Sequence, residues 1–431
     1  MLRASAIPTR RRGLAGARAR ATAVSILLVA LVAVGGCGAA PVGGTRLPSP
    51  TQSSAPGASA TAGAFAAASP TGLAASPTLT APAISTAAAA APCLDGSTSG
   101  PFLQATGTRI TCDGRPVELT GFTFYPSLLG GAKAWHDPGF PTYIDHVLDM
   151  GLAAGQNLIR ATDQWDSHTP GQTADDPIVW SNMDHLVAAA RQRGVFVVVD
   201  LSAFRWLLTS QGSDPNRADL WVPFIDQVAA RYRDNPAVAF YSIAGEPKPP
   251  ATPADLGSLT DFYRTTSAAL RAADPNHLIA LGGFNHMEDH PELSWWQSLD
   301  QLATNDIVAV KTYSQHDLDL MPAIAAYARS AGKPVVDEEF GMPQSFGDGT
   351  FAGGAAYNGL AGGRAAFFGS VYSSGFELGY AGFVFWNMGC EVGPTSYEVS
   401  PQTPAVWAVV AGHGAAPRAA AGLVSVPLLC G

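Results

Sequence analysis

Basic charge is scarce in this chain. Twenty-five lysines and arginines face 34 aspartates and glutamates, for a formal net charge of −9 at pH 7. Six of the arginines (Arg3, Arg10, Arg11, Arg12, Arg18 and Arg20) fall near the N-terminus with no acid beside them, so the remainder is more acidic still. An acidic body argues against nucleic acid or anionic lipid as a partner and fits a soluble enzyme acting on neutral polymers. Long apolar runs are also missing. The run from Ala21 to Val34 is too short for a comfortable membrane span; behind a basic stretch it has the form of a signal-peptide core. Cysteine is sparse, with five in 431 residues and no C-x-x-C pair, so the spacings do not suggest a zinc site. No glycine-rich dinucleotide fingerprint follows the first strand-like segment, and no internal repeat stands out beyond an alternation of strands and helices. Neither a metal nor an organic cofactor is implied.

The leader ends Leu31-Val32-Ala33-Val34-Gly35-Gly36-Cys37, small residues directly before a cysteine. This resembles a bacterial lipobox, which implies cleavage after residue 36 and lipidation at Cys37. Residues 37–92 then form a tether of Ala, Pro, Ser, Thr and Gly, in which Arg46 is the one charge. Such a segment has too little bulky apolar surface to offset the entropy of ordering it. The expected organisation is a signal peptide over 1–36, a lipidated cysteine with a disordered linker over 37–92, and one folded domain over 93–431. That domain is expected at the outer face of the cytoplasmic membrane, held by the lipid anchor, and monomeric. Four cysteines remain for an oxidising exterior. Proximity in sequence suggests Cys93 with Cys112 and Cys390 with Cys430.

From residue 108 the pattern is regular. Asp113-Gly114 divides two short alternating runs, a strong hairpin signal. Strand-like runs then start near Leu119, Asn157, Val195, Val238, Leu278, Ile307, Val335 and Gly382. Amphipathic stretches such as Tyr143–Ala154 and Met183–Arg193 lie between them, the second with Ser181 available as N-cap and Gly194 past its end. Eight strand–helix units over about 300 residues predict an α/β fold, a (β/α)8 TIM barrel with a short N-terminal β-hairpin across its bottom.

In such a barrel the chemistry gathers at the carboxyl ends of the strands. The fourth strand runs through Ala237-Val238-Ala239-Phe240-Tyr241-Ser242 and leads to Gly245-Glu246-Pro247. The seventh, from Val335, closes on Asp337-Glu338-Glu339-Phe340-Gly341. Two carboxylates across the mouth can flank a glycosidic bond, one protonated and donating to the leaving oxygen, the other ionised and attacking the anomeric carbon. Glu338 and Glu339 compete for the second role, because regular strand alternation turns only one of two neighbours toward the axis.

From Gly107 to about Trp386 the chain resembles glycoside hydrolase family 5 and its wider clan of retaining β-glycosidases. The resemblance rests on Arg109-Ile110-Thr111 through Gly121 as opening strands, Asn157-Leu158-Ile159-Arg160, Gly245-Glu246-Pro247, Glu339-Phe340-Gly341 and Trp386. It implies Glu246 as general acid/base, Glu339 rather than Glu338 as nucleophile, and Arg160 and Tyr313 as hydrogen-bond donors to that nucleophile. Trp386 becomes a platform under the sugar being cleaved. The implied substrate is a β-linked polysaccharide or oligosaccharide. Glu338-Glu339-Phe340-Gly341 and aromatic-rich loops with Trp165, Trp206, Trp295 and Trp296, read as sugar-stacking residues, lean toward β-mannan, with β-glucan next. A non-catalytic carbohydrate-binding lipoprotein, or a transglycosylase of envelope glycans, would share the scaffold.

The chain also departs from that family. Gly245 stands where the family has an asparagine that binds the sugar 2-hydroxyl, Ser202 where many members have histidine, and Lys311 where histidine is frequent. A glycine at 245 leaves a volume that some other donor is expected to reach. Asn285, His286 and Asp163 are the candidates.

Overall fold

The structure is a computed structural model that describes residues 94, 100–126, 129, 131–162, 176–202, 218–247, 249–285, 294–344, 363–389, 391 and 396–416. The chain divides into two units, Met1–Ala81 and Pro82–Gly431, and every described residue lies in the second. The leader, Cys37, the tether, Cys93, Asp163, Trp165, Trp206, His286, Cys390 and Cys430 fall outside the described residues.

Three short strands come first: β1 Leu103–Thr106, β2 Arg109–Cys112 and β3 Arg115–Pro116, an antiparallel sheet in that order. Asp113 and Gly114 form the predicted turn, both with positive φ. Phe102, just ahead of β1, meets the edge of His277, which immediately precedes a barrel strand. The hairpin therefore lies toward the amino ends of the strands, away from the catalytic mouth of such barrels.

The barrel strands are β4 Leu119–Phe124, β5 Leu158–Ala161, β6 Phe196–Asp200, β7 Val238–Ser242, β8 Leu278–Ala280, β9 Phe284–Asn285, β10 Val308–Thr312, β11 Val335–Phe340 and β12 Gly382–Phe385. They pair in parallel in the order β8-β7-β6-β5-β4-β12-β11-β10-β9. Segments β8 and β9 are two halves of the fifth barrel strand, interrupted at Leu281–Gly283, and a parallel bridge from Ala280 to Ile307 joins the ends of the ladder. The result is the (β/α)8 barrel, its eight strands starting within a residue or so of the positions read from the sequence. The strands are apolar because both faces are covered: Val197, Val198, Val199, Phe240 and Tyr241 are wholly buried.

Eight helices among the described residues cover the barrel: α1 Phe140–Ala153, α2 Pro177–Gln192, α3 Ala218–Tyr232, α4 Pro253–Ala273, α5 Ser294–Asp300, α6 Gln315–Ala331, α7 Gly363–Leu378 and α8 Pro404–Gly412. Helix α2 begins six residues before the predicted Met183, and its cap is Asp176 rather than Ser181. The Asp176 carboxylate accepts the Ile178 N–H at 2.8 Å, and Pro177 at the first helical position has no N–H to leave unsatisfied. The same proline effect starts α1 at Phe140, ahead of the predicted Tyr143. Trp295 and Trp296, expected as sugar-stacking aromatics, lie on α5 instead. Trp296 is wholly buried and belongs to the core, while Trp295 is half-buried, and both rings pack edge-on against Phe284.

Candidate active site

The mouth is built from the carboxyl ends of β5, β6, β7, β10, β11 and β12. Arg160, on the short strand β5, is its hub. Its Nη2 donates to Asp200 at 2.5 Å, its Nη1 to Glu339 at 2.6 Å, and its Nε lies 3.2 Å from Glu338. Burial alone would lower the guanidinium pKa, but the surrounding charges of Asp200, Glu339 and Glu338 outweigh it and raise it. The group is fully cationic.

Both Glu338 and Glu339 reach this guanidinium, which regular alternation forbids. Strand β11 is bulged: Asp337 pairs with Val310 of β10, and the next partner, Lys311, pairs with Glu339, so Glu338 has no partner of its own. The same irregularity falls between Asp337 and Phe340 against β12. The extra residue turns both glutamates toward Arg160, correcting the expectation that only one could face inward. They differ in surroundings. Glu338 is wholly buried and burial raises its pKa despite Arg160. Glu339 is 5% exposed and accepts from Arg160 at 2.6 Å, from Lys311 at 2.7 Å and from the Tyr313 hydroxyl at 2.5 Å. Burial pushes its pKa up, but the charges of Lys311 and Arg160 and the hydrogen bonds of Lys311 and Tyr313 bring it down to about 2. The Tyr313 hydroxyl is itself pushed well up, first by burial and then by the Glu339 charge, and so keeps the proton it donates.

Gly341 explains why a glycine closes this segment. A Cβ there would lie 2.7 Å from the Trp386 carbonyl oxygen. Absence of that atom lets the β12 end approach, with the Trp386 N–H donating to Phe340 at 2.7 Å. The half-buried Trp386 ring stacks on Tyr125 with centroids 5.5 Å apart.

Glu246 stands four residues past β7 on backbone that continues the ladder: Ala244 donates to Leu281 at 2.8 Å and Glu246 to Gly283 at 3.0 Å. Its φ is +55°, a conformation that costs an ordinary side chain on the order of 1 kcal/mol and clusters at functional sites. The Tyr263 hydroxyl fixes the turn by donating to the Ala244 carbonyl at 2.6 Å, and Gly245 donates to the Ser202 hydroxyl at 3.4 Å. The Glu246 side chain is 30% exposed and meets the Lys311 ammonium at 3.2 Å, while the same ammonium lies 2.7 Å from Glu339, so the two carboxylates have oxygens within about 6 Å of each other.

Arg160, Tyr313, Trp386, Glu246 and Glu339 are thus brought to one end of the barrel. Asn285 enters by its backbone, paired with Lys311 in the ladder. Cys112 is disulfide-bonded. Among the described residues no group of three His, Cys, Asp or Glu could hold a metal ion; His286 and His290, four apart in the sequence, lie outside them.

A family model described as Cellulase (glycosyl hydrolase family 5) matches residues 111–353, more than half the chain. The chain belongs to glycosyl hydrolase family 5. It is a glycosidase. A protein of Oryza sativa subsp. japonica assigned as mannan endo-1,4-beta-mannosidase 9 is 24% identical over 362 residues, covering 70% of this chain and 85% of the relative. Mannan endo-1,4-beta-mannosidase F of Aspergillus fumigatus is 23% identical over 219 residues, 43% of this chain and 47% of the relative, so the match spans about half the length of that fungal protein. Among solved structures, the endo-1,4-beta-mannanase of Rhizomucor miehei superposes with a TM-score of 0.55 at 17% identity, covering 73% of this chain and 98% of that one. A family 5 subfamily 18 variant from Streptomyces cattleya, in complex with Manb1-4GlcNAc, gives 0.52 at 19% identity, covering 68% and 80%. At such identities the structural likeness is one of fold.

Two residues of this glycosidase's site escaped the sequence reading. Asp200 ends β6, and Glu339 lies one residue before the end of β11; an acid at the close of an apolar run is a signal, and it was available for Asp200 too. Lys311 was noted only as a departure. A lysine inside the run Val308-Ala309-Val310-Lys311-Thr312 is itself a signal, since lysines are almost never fully buried without a charged partner.

Proposed function

We propose that this family 5 glycosidase hydrolyses a β-linked polysaccharide, β-mannan before β-glucan, by double displacement with retention of configuration. The observation that carries the reading is the pair Glu246 and Glu339 on one ammonium. One oxygen of each lies within about 6 Å of the other, which is compatible with the ~5–5.5 Å separation between the carboxyl groups of a retaining pair.

In this reading Glu339, held ionised by Arg160, Lys311 and Tyr313, attacks the anomeric carbon. Glu246 gives its proton to the departing glycosidic oxygen. A covalent glycosyl–enzyme results, and Glu246 then takes a proton from the water that attacks the same carbon and frees Glu339. Trp386 offers the sugar an apolar face. The preference for mannan is supported by the names of the relatives, several of which are mannan endo-1,4-beta-mannosidases. The protein is further proposed to be a secreted monomer anchored through lipid on Cys37, with Cys93 bonded to Cys112 and Cys390 to Cys430.

Reducing-sugar release from a panel of mannans, glucans and xylans tests the substrate, with mannan expected fastest. Proton NMR of the first product tests the stereochemistry: the β-anomer is expected, and initial α-anomer would sink the double displacement. Metabolic labelling with palmitate, lost on Cys37→Ala, tests the anchor.

A further inference from the structure

The fifth barrel strand is interrupted at Leu281–Gly283, where the segment that carries Glu246 passes it. On one edge of the interruption the Leu281 N–H donates to the Asn305 side chain at 3.2 Å. On the other edge two carbonyls face the Glu246 segment: Leu281 accepts the Ala244 N–H at 2.8 Å, and Gly283 accepts the Glu246 N–H at 3.0 Å. Gly282, between them, has a φ of +122°. A Cβ there would lie 2.4 Å from the Ala244 carbonyl carbon and 2.5 Å from both its oxygen and the Gly245 nitrogen. These are backbone atoms, which cannot swing aside as the end of a side chain can. Only a glycine at 282 lets the two segments close to this distance.

The same peptide unit, Ala244–Gly245, is held a second time from the helical layer. Tyr263 of α4 is wholly buried, and its hydroxyl donates to the Ala244 carbonyl at 2.6 Å. Burial raises the phenol pKa, so the proton stays on the tyrosine. Glu339 takes its donors from elsewhere: Arg160 on β5, Lys311 on β10 and Tyr313 just past it. The two carboxylates of the site therefore have separate mounts.

Proton donation needs a carboxyl oxygen within roughly 2.6–3.2 Å of the leaving oxygen. Glu246 follows the Ala244–Gly245 peptide directly and sits at φ +55°, so a shift of that peptide is passed to its side chain. We propose that Gly282 and Tyr263 are positioning residues for the acid/base: together they fix this peptide and so set how closely the Glu246 carboxyl meets the leaving oxygen. The assignment rests on the glycosidase mechanism above. Neither residue offers the substrate a group of its own, since Gly282 has no side chain and the Tyr263 hydroxyl is given to Ala244. Loosening either one leaves the nucleophile on its own donors and slows proton transfer. The damage then grows as the leaving group becomes more basic, because a basic leaving group depends most on the proton it receives.

The test measures kcat/KM for a series of aryl β-mannobiosides whose leaving groups run from dinitrophenol to phenol. Tyr263→Phe is expected to lose at least about tenfold more on the phenyl than on the dinitrophenyl glycoside, and Gly282→Ala on the order of 10²-fold more. Tyr263→Phe removes a single oxygen and supplies the reading if Gly282→Ala does not fold. A merely structural role lowers the active fraction by the same factor for every leaving group and leaves that ratio unmoved. Losses equal across the series, or a Tyr263→Phe protein that matches wild type throughout, overturn the proposal. Glu246→Gln is the reference. If its losses depend on the leaving group while those of the two positioning variants do not, the proposal alone falls. If its losses show no such dependence, or the wild-type protein hydrolyses no β-glycoside, the mechanism falls and the proposal with it.

Discussion

The two strand ends that carry the site treat their carboxylates in opposite ways. At the end of β11, Glu339 is 5% exposed and is gripped by Arg160, Lys311 and Tyr313. After β7, Glu246 has a side chain 30% exposed, touches the Lys311 ammonium at 3.2 Å, and depends on a backbone in the left-handed region to point it into the mouth. Enclosure among fixed donors suits a group that must stay ionised. A group that must give and regain a proton needs contact with water and with the leaving oxygen. The contrast teaches that one carboxylate is stabilised by its partners and the other by its placement, and it supports the division of roles proposed above.

The strongest way to break that contrast is to delete the enclosed group. Glu339→Gly is expected to lower kcat/KM by on the order of 10⁴-fold or more, with azide restoring turnover and releasing the glycosyl azide of inverted configuration. Glu338→Gly serves as the control; rescue by azide there, and not at Glu339→Gly, would move the nucleophile by one residue. Deleting the exposed group comes next. Glu246→Gln is expected to cost roughly 10²–10⁴-fold on mannan and far less on a dinitrophenyl glycoside, whose leaving group needs no proton. An equal loss on both substrates would erase the contrast.

Loosening the grip is a smaller perturbation. Arg160→Met leaves Asp200, Glu338 and Glu339 without their shared cation, and removing one partner of a buried pair costs about 3–5 kcal/mol, to be read as a lower midpoint in urea. The pH dependence follows from the Glu339 pKa of about 2, set against an unfolded value near ~4.3. Because the folded value is the lower one, this carboxylate contributes its full stability above roughly pH 4–5. That contribution is lost as the pH falls toward about 2. Arg160→Met, refolded and assayed, should move the acid limb of kcat/KM upward; an unmoved limb would mean that the grip does not govern ionisation.

The smallest expected effect is at Gly245, on the exposed side of the contrast. By sequence, a glycine at 245 leaves an open volume beside the sugar. The Lys311 tail already stands 3.4–3.5 Å from where its Cβ would be. Gly245→Asn is therefore expected to lower kcat/KM by up to about tenfold on both polymers, read by reducing-sugar release. Improvement by Gly245→Asn would show that the lysine yields that space readily.

Much of this was legible beforehand. The starts of the eight barrel strands could be read because a strand buried on both faces must be continuously apolar over a short run, and that is visible residue by residue. Helix starts were less legible: α1 and α2 begin earlier than their apolar faces announce, since Pro141 sits in the first turn of one and the Asp176 cap with Pro177 sets the first turn of the other. The tryptophans of α5 misled because aromatic content says nothing of direction; the helix turns Trp296 into the core.

What the sequence by itself determined is the alternation of strands and helices, and with it the carboxylates waiting at the ends of the fourth and seventh strands. Periodicity and chain-end chemistry are local properties, encoded within a few residues of where they act. What only the tertiary structure decided is how those groups meet. Arg160 and Glu339 are 179 positions apart, and Lys311 joins Glu339 to Glu246 from a third strand. Those contacts depend on strand register and on a bulge at Glu338 that turns two neighbouring acids to one guanidinium. Register is fixed by packing around the whole barrel, so no stretch of sequence states it alone.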